Sequence, residues 1–385
     1  MDNNYDIVMY FYWAPPHVVP KYLNLHNILK KHCRVLTIIG EGEFGISKEI
    51  FSLFNKEHLE DVVLEPVEGA LKRLKETNFK VGVFSSNGRK GFVNPDGSCP
   101  PSLGSRWPNI GKDIAIAKEK NALTVQISEM MSDIYYGGAD IVSLISPLAF
   151  VLHLQPQEYG TYAHYEWRPF DANPQPKYIY SNCLLWDAVE EYMPYHLTRD
   201  EFCKKYGLDK DKDILLYLPS MIDSISTGVA SEVYRRTCKM DNVIIKLHPK
   251  EYKRLLANRF DNKWSYEVCG VTEPVRILEE IDAHWAYKYA ACGISNQSSV
   301  AMEVFLYETP FLYVQPPRFR WSSFFLKFGH KCNLDEFETF IEDKKYRNEV
   351  PGLKEFYKSK MMIDPDKTAA EILKSQLLEL LGCVK

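Results

Sequence analysis

The chain has 385 residues, of which 45% are hydrophobic and 25% are charged, and its formal net charge is −4. This length exceeds what one ordinary hydrophobic core accommodates, so two domains are expected. The composition is that of a soluble globular protein, and the negative charge argues against a nucleic-acid partner. Nine cysteines with no Cys-x-x-Cys pair argue against a zinc site or a disulfide framework. They indicate free thiols in a reducing, cytoplasmic compartment.

The first half of the chain alternates short apolar runs with amphipathic segments, which is typical of parallel sheets with crossover helices. A turn rich in glycine, GEGEFG, occupies residues 40–45. Helices are predicted at residues 18–31 and from about residue 47. The predicted strands are residues 5–12, 34–39, 61–64, 80–84, 122–126, 140–145 and 178–180.

A domain boundary is predicted at the sequence TRDEFCKKYGLDKDKD, which starts at Thr198. Thr198 and Glu201 have the spacing of a capping box, and the helix that follows is expected to end at Gly207. The Asp-x-Asp pairs of residues 209–213 could be taken for a metal motif. A solvated turn is the favoured interpretation, because acidic residues favour turns.

The second half repeats the alternation. Strands are predicted at 214–218, 243–247 and 310–314, and a further strand is predicted to end at 293–294. Helices are predicted at 231–239, 299–307 and 367–381. We therefore expect an α/β protein of the GT-B architecture, with two Rossmann-like domains whose parallel sheets face a central cleft and a C-terminal helix that crosses back. The expected domains are residues 1–197 for an acceptor, residues 198–365 for a nucleotide donor, and the helix 366–385.

The run VIIKLHPKEY at residues 243–252 ends a predicted strand at His248-Pro249. Proline favours extended backbone before it and ends the ladder. Ligands of open parallel sheets bind beyond the carboxyl ends of the strands, so the imidazole could donate a hydrogen bond to a phosphate. A structural histidine bonded to a neighbouring carbonyl is an equal alternative from this strand alone.

Residues 293–304, GISNQSSVAMEV, place a polar turn between a strand and a helix. The helix N-terminus and the hydroxyls of Ser298 and Ser299 could bind an anion, and Glu303 could accept hydrogen bonds from a ribose. The alternative is that Ser298 only caps the helix and Glu303 lies on a solvated face. Two such sites at strand ends in one domain favour a nucleotide site. Ser220, which follows the strand 214–218, is a further candidate for binding the donor.

The segments ILLYLPS, VIIKLHPKE and GISNQSSVAMEVFLYETPFLYV resemble the C-terminal half of a group of bacterial surface-polymer transferases. The group includes CDP-glycerol glycerophosphotransferases, polysialyltransferases and Kdo transferases, and the resemblance covers residues 200 to 315. It implies that His248-Pro249 and Ser298-Ser299 hold the phosphate of a cytidine nucleotide, CMP- or CDP-linked. It also implies an acidic general base in the first domain, just before a glycine.

Glu41-Gly42 fits that pattern in part, because Gly40 stands where the group has a second acid, and Glu43 lies in the same turn. A carboxylate there could take the proton of an acceptor hydroxyl. The alternative is an ordinary turn with acids near a helix start. Further candidates for the base are Glu129, Asp133 and His17.

Residues 316–331, PPRFRWSSFFLKFGHK, interleave basic and aromatic side chains. Such a segment could contact an anionic membrane surface, as a lipid-linked acceptor would require. A loop whose aromatic residues fill the core is the favoured interpretation.

Together these features predict an inverting glycosyltransferase of surface polysaccharide synthesis that needs no metal and no cofactor. Its partners would be a nucleotide-sugar donor and a glycan or glycolipid acceptor. A nucleotide-sugar epimerase on the same fold and a catalytically inactive nucleotide- or glycan-binding protein remain as alternatives.

Overall fold

The structure is a computed structural model, and the chain forms two compact units, Met1–Tyr195 with Lys358–Lys385, and His196–Tyr357. The residues that it describes are 3–11, 14–41, 45–85, 112–128, 138–145, 176–187, 189–219, 228–247, 275–296, 300–315, 328–348, 355, 358–359 and 362–383.

Each unit is built on one parallel sheet, which confirms the expected α/β class. The first sheet has seven strands in the order β3-β2-β1-β4-β5-β6-β7, and the second has five in the order β12-β11-β10-β8-β9. The strands are β1 (Asn4–Phe11), β2 (Val35–Glu41), β3 (Val62–Pro66), β4 (Asn78–Ser85), β5 (Leu123–Ile127), β6 (Ile141–Leu144), β7 (Lys177–Tyr180), β8 (Leu215–Tyr217), β9 (Val243–Ile245), β10 (Cys292–Ser295), β11 (Phe311–Val314) and β12 (His330–Cys332).

Helices connect these strands, as parallel pairing requires. Four of them, α3, α4, α7 and α9, were not predicted from the sequence, and the helix expected from about residue 47 is a single turn. The helices are α1 (Val19–Lys30), α2 (Lys48–Phe51), α3 (Val67–Glu76), α4 (Lys112–Glu119), α5 (Arg199–Tyr206), α6 (Gly228–Cys238), α7 (Ala283–Tyr289), α8 (Ala301–Leu306), α9 (Phe337–Glu342) and α10 (Ala369–Cys383).

The helix predicted after Thr198 is confirmed as α5. The hydroxyl of Thr198 accepts a hydrogen bond from the backbone N–H of Glu201, whose carboxylate accepts one from the N–H of Thr198. Gly207 follows the helix at φ 62°, a left-handed conformation that glycine adopts without steric cost. The sequence therefore defines both ends of this helix.

The turn after α5 is organised by protein groups. The carboxylate of Asp209 accepts a hydrogen bond from the N–H of Asp211 at 3.0 Å. Asp213 accepts from the hydroxyl of Tyr346 at 2.8 Å and pairs with Arg347. In the part of the chain that the structure describes, no group of three or more His, Cys, Asp or Glu residues could hold a metal ion.

Asn242 joins this turn to the start of β9. Its amide nitrogen donates to the carbonyls of Asp209 and Asp213 at 2.9 and 3.1 Å, and its amide oxygen accepts from the N–H of Asp209 at 2.7 Å. The side chain is buried, and φ is 59°. It thus holds together the starts of β8 and β9, the two strands that lead towards Ser220 and His248.

The C-terminal helix α10 belongs to the first unit. The buried carboxylate of Asp187 accepts hydrogen bonds from the N–H groups of Ala369 and Ala370 at 2.8 and 2.9 Å. These are free donors of a helix N-terminus, where a carboxylate is favoured. Burial nevertheless raises the pKa of Asp187 to about 6, against the opposing effect of those two hydrogen bonds.

A buried histidine ties α1 to β2 and to the residues that precede β3. One ring nitrogen of His26 lies 2.8 Å from the hydroxyl of Thr37 on β2, and the other lies 2.9 Å from the carbonyl of Glu60. Burial lowers the pKa of His26 to about 4. This network fixes β2, whose last residue is the candidate base Glu41.

Acidification should therefore weaken the first unit through His26. Its imidazole takes up a proton near pH 6.5 in the unfolded chain but only near pH 4 in the folded chain, so stability is lost as the pH falls through this window. Between about pH 7 and about pH 5 the expected loss from this group is about 2 kcal/mol. Urea unfolding at the two pH values measures it. The same slope in a His26→Gln variant would contradict the assignment, and His32→Gln, an exposed position on the same segment, is the control.

Candidate functional site

The second sheet has a topological switch point between β8 and β10. The chain passes from β8 to β9 on one side and returns to β10 on the other side. Ligands of open α/β sheets bind outside the carboxyl ends of the strands at such a point. The two strand ends are joined there: the N–H of Leu218 donates to the carbonyl of Ile294 at 2.8 Å, and the hydroxyl of Ser295 donates to the carbonyl of Leu218 at 2.7 Å.

The predicted phosphate-binding residues follow these strand ends along the chain. Ser220 comes one residue after the described Pro219, and Ser298 comes two residues after Asn296. His248 comes one residue after Leu247, beyond β9, which is the other neighbour of β8. The side chains of Ser220, His248, Pro249, Ser298 and Ser299 lie outside the described residues. Three adjacent strands span only about 10 Å, so their carboxyl ends lead into one region.

The end of β10 is fixed by Asn296. Its buried side-chain amide donates to the carbonyl of Val314 at 2.9 Å and to that of Gln315 at 2.8 Å. These bonds connect the start of the polar turn to the end of β11. The helix α8 after this turn begins at Ala301 and has 6 residues. The expected helix 299–307 is therefore shorter than predicted, and fewer than two turns of aligned peptide dipoles stand behind the turn.

Glu303 lies in the first turn of α8, half-buried, and faces α7. Burial, followed by the nearby carboxylates of Glu303 and Glu280, raises the pKa of Tyr287 well above its usual value. On the same two helices the hydroxyl of Tyr307 lies 2.5 Å from Nδ1 of His284. Glu303 thus belongs to a polar cluster whose members are Glu280, His284, Tyr287, Glu303 and Tyr307. This cluster was not predicted from the sequence, because aromatic residues at helical spacing resemble ordinary core.

Two candidates for the general base lie among the described residues of the first unit. Glu41 is the last residue of β2, next to Pro66 of β3, so it ends a strand and does not lie in the predicted turn. Its carboxylate lies 3.9 Å from Nζ of Lys48. His17 is half-buried in the turn between β1 and α1. The other candidates, Glu43, Glu129 and Asp133, lie outside the described residues.

The first sheet also has a switch point, between β1 and β4. His17 lies in the turn between β1 and α1, six residues after the end of β1, and Glu41 ends β2, the neighbour of β1 on the other side. Both therefore lie at the carboxyl edge of this sheet, where ligands bind.

One polar residue at the edge of the second sheet was missed by the sequence analysis. Lys246, the fourth residue of VIIKL, is only 4% exposed. A lysine inside an apolar strand was the available signal, because lysine is almost never fully buried without a partner.

The basic and aromatic segment 316–331 lies outside the described residues up to position 327. Among the helices that the structure describes, none is long and apolar enough to cross a membrane. Six cysteines are described as free thiols, namely Cys33, Cys183, Cys203, Cys238, Cys292 and Cys332.

No protein-family model and none of the curated proteins matches the sequence. Solved structures do match the fold. The wall teichoic acid polymerase TagF, in a variant soaked with CDPG, is similar with a TM-score of 0.56 at 10% identity, over 99% of this chain and 89% of that one. S. aureus MnaA, in a co-structure with UDP, gives 0.55 at 11% identity, over 98% and 97% of the two chains. A UDP-N-acetylglucosamine 2-epimerase gives 0.51 at 12%, over 98% and 95%.

The chain has the GT-B fold. Two parallel sheets of seven and five strands, each with its own helices, match these structures over nearly the whole chain. This confirms the predicted fold.

Proposed function

We propose that this protein is a glycosyltransferase-type enzyme that moves a sugar or a polyol phosphate from a nucleotide-activated donor to a glycan or lipid-linked acceptor in surface polysaccharide synthesis. The observation that carries the proposal is the second sheet's switch point. The segments with His248, Ser220 and Ser298-Ser299 leave three adjacent strands at one edge. Histidine and serine donors at that edge suit the phosphates of a nucleotide, which bind in such crevices.

In this proposal the residues have separate roles. His248, Ser220, Ser298 and Ser299 donate hydrogen bonds to the donor phosphate and so stabilise the charge that develops on the leaving nucleotide. Pro249 holds the backbone of His248 extended. Glu303 accepts hydrogen bonds from the ribose hydroxyls, with its position fixed by α7.

The acceptor would bind at the first unit. An acceptor hydroxyl must lose its proton as it attacks, and a positioned carboxylate takes it. Glu41 or Glu43 is proposed for this role, with His17, Glu129 and Asp133 as the other candidates. Attack from the face opposite the leaving group inverts the anomeric centre, so the configuration of the product tests this part of the proposal.

The donor is proposed to be linked to a cytidine nucleotide, which rests on the resemblance in sequence and on the fold shared with a TagF structure soaked with CDPG. Cytidine nucleotides should then raise the melting temperature more than uridine or guanosine nucleotides. Ligand at a hundredfold its dissociation constant adds about 2.7 kcal/mol of stability. A larger shift with UDP than with CDP would refute the cytidine preference and leave the nucleotide site intact.

The His248→Ala variant should stay folded and bind CDP about 10- to 100-fold more weakly, because a charge-assisted hydrogen bond of about 1.5–3 kcal/mol is lost. Titration calorimetry measures the affinity. His32→Ala, an exposed position in the first unit, is the matched control and should bind like the parent. Equal affinity of a folded His248→Ala protein would remove His248 from the site.

A nucleotide-sugar epimerase is the second candidate, and the fold shared with a UDP-N-acetylglucosamine 2-epimerase favours it. The two activities differ in what they need. An epimerase converts the donor without an acceptor, whereas a transferase releases the nucleotide only when an acceptor is present. Incubating the protein with a nucleotide-sugar in the presence and absence of a glycan acceptor separates them, and binding without turnover indicates an inactive binding protein. Turnover that persists in a chelator supports the proposed independence from metals.

A further inference from the structure

Lys246 is the buried cation closest along the chain to the proposed donor site. It lies two residues before His248 and is 4% exposed. Its neighbours Ile245 and Leu247 belong to the core cluster on one face of the second sheet, which includes Tyr234 of α6. Successive side chains of a strand point to opposite faces, so Lys246 faces the other side, towards the layer of α7 and α8.

The ammonium of Lys246 has no carboxylate partner among the described residues. Lys205 of the same unit provides the contrast: it is more exposed, at 30%, and pairs with Asp282 at 2.6 Å and with Glu279 at 2.8 Å. A lysine buried to this extent is rare in proteins unless a partner accompanies it. An anion that binds next to Lys246 would supply that partner.

The backbone places Lys246 at the edge where the donor is proposed to bind. Its N–H donates to the carbonyl of Tyr217, the last residue of β8, at 2.9 Å, so it lies beside Leu218, which follows that strand. It is therefore one strand away from the switch point between β8 and β10. The four-carbon stem of a lysine allows the ammonium to reach beyond the strand end.

The short helix α8 contributes little positive potential there. A nucleoside diphosphate brings at least two negative charges, and α8, with 6 residues, aligns few peptide dipoles towards them. The hydrogen-bond donors proposed so far, His248 and the serines, carry no permanent positive charge near neutral pH. Lys246 supplies one.

The structure also offers a competing role for Lys246. Glu280, 7% exposed, follows the segment that pairs with β9 at Ile277, and Glu280 and Glu303 both lie near Tyr287. Lys246 could balance these carboxylates from a distance. It forms no ion pair with either one, however, and a structural role would affect folding and not ligand affinity.

We propose that the ammonium of Lys246 binds the phosphate groups of the nucleotide donor. This inference rests on the proposed function. In this inference Lys246 neutralises the negative charge on the leaving nucleotide. His248 and the serines donate hydrogen bonds to the same phosphate groups. The ligand chemistry is that of a nucleoside mono- or diphosphate, and the nucleoside itself is not contacted.

The test compares CDP, UDP and cytidine as ligands of the parent protein and of Lys246→Met, by titration calorimetry at two salt concentrations. Methionine keeps the length and the apolar stem, and it removes the charge. We expect CDP to bind about 10- to 100-fold more weakly to Lys246→Met, since a hydrogen bond to a charged group is lost. Cytidine, which has no phosphate, should change less than twofold. Lys239→Met, at the exposed end of α6, is the matched control.

Lys246→Arg keeps the charge and should retain most of the CDP affinity. If Lys246→Met does not fold, Lys246→Gln is the second variant that removes the charge, and a loss of CDP affinity below twofold in folded Lys246→Gln overturns the proposal. An unchanged CDP affinity of Lys246→Met, or an equal loss for cytidine and CDP, overturns it as well. If the parent protein binds neither CDP nor UDP, the proposed function is wrong and the assignment of Lys246 falls with it.

Discussion

Glutamine in place of the general base should reduce turnover by about 10²–10⁴-fold and leave donor affinity unchanged. The amide keeps the shape of the carboxylate and cannot take the proton of the acceptor hydroxyl. Glu41→Gln and Glu43→Gln are the variants to compare first. The pH–rate profile of the variant that lacks the base should also lose its acidic limb, because that limb reports the ionisation of the base.

The neighbourhood of Glu41 requires a separate control. Its carboxylate lies 3.9 Å from Nζ of Lys48, whose side chain is 65% exposed. Glu41→Gln removes this ion pair together with the carboxylate, although a pair this exposed contributes at most about 1 kcal/mol. Lys48→Met removes the pair and keeps the carboxylate, so it should retain turnover and its pH dependence. A structural role of Glu41 predicts similar, modest changes in both variants.

Rates and donor affinities of the two glutamine variants decide the assignment. If both variants turn over like the parent, the base is elsewhere, and His17, Glu129 and Asp133 are tested next. A histidine base and a carboxylate base also differ in pH dependence, because in model peptides an imidazole titrates near pH 6.5 and a glutamate near pH 4.3. The position of the acidic limb in the parent therefore indicates which type of residue acts.

Alanine in place of Asn242 should lower the free energy of unfolding of the second unit by about 3–4 kcal/mol. Three hydrogen bonds shorter than 3.2 Å, to groups of Asp209 and Asp213, would be lost. The N–H of Asp209 would lose its acceptor. In addition, φ at this position is 59°, a left-handed conformation that costs alanine about 1 kcal/mol.

Two further variants separate these contributions. Asn242→Gly relieves the backbone strain and still loses the hydrogen bonds, so it should be about 1 kcal/mol less damaging than Asn242→Ala. Asn121 has nearly the same backbone, at φ 58°, but is exposed. Asn121→Ala should therefore cost only the backbone part, about 1 kcal/mol.

Hydrogen exchange measured by mass spectrometry gives a local readout for Asn242. Amides of β8 and β9 should exchange faster in Asn242→Ala, because this side chain joins the turn before β8 to the start of β9. Amides of β1 and β4 in the first unit should not change. Equal stability of Asn242→Ala and Asn121→Ala in urea would show that the hydrogen bonds contribute nothing.

The sequence by itself determined the class of the fold and most of the strands. Strands of a parallel sheet are buried on both faces and therefore appear in the sequence as continuous apolar runs. The runs 5–12 and 243–247 predicted β1 and β9 in this way. The capping box at Thr198 and Gly207 defined α5, because these signals act within a few residues. The strands that precede His248 and Ser298 were equally readable, and the site at their ends stays a prediction.

Local patterns did not predict every helix. The segment of α7, Ala283–Tyr289, is short and rich in aromatic residues, which are weak helix formers. It is helical because Trp285 and Tyr287 are buried against the rest of the unit. Its packing also brings Tyr287 next to Glu303, a contact between residues 16 positions apart that no periodicity reveals.

Only the tertiary structure decided which strand ends lie side by side. The order β12-β11-β10-β8-β9 puts the switch point between β8 and β10 and makes β9 the neighbour of β8. Hydrogen bonds between distant segments set this order. The burial of Lys246 at the same edge is also a result of the tertiary structure. The hydrogen bond from the N-terminus of α10 to Asp187 is another long-range contact, because it joins residues more than 180 positions apart. Sequence patterns report the few residues around a position, whereas strand order and burial depend on contacts that form only when the whole chain has folded.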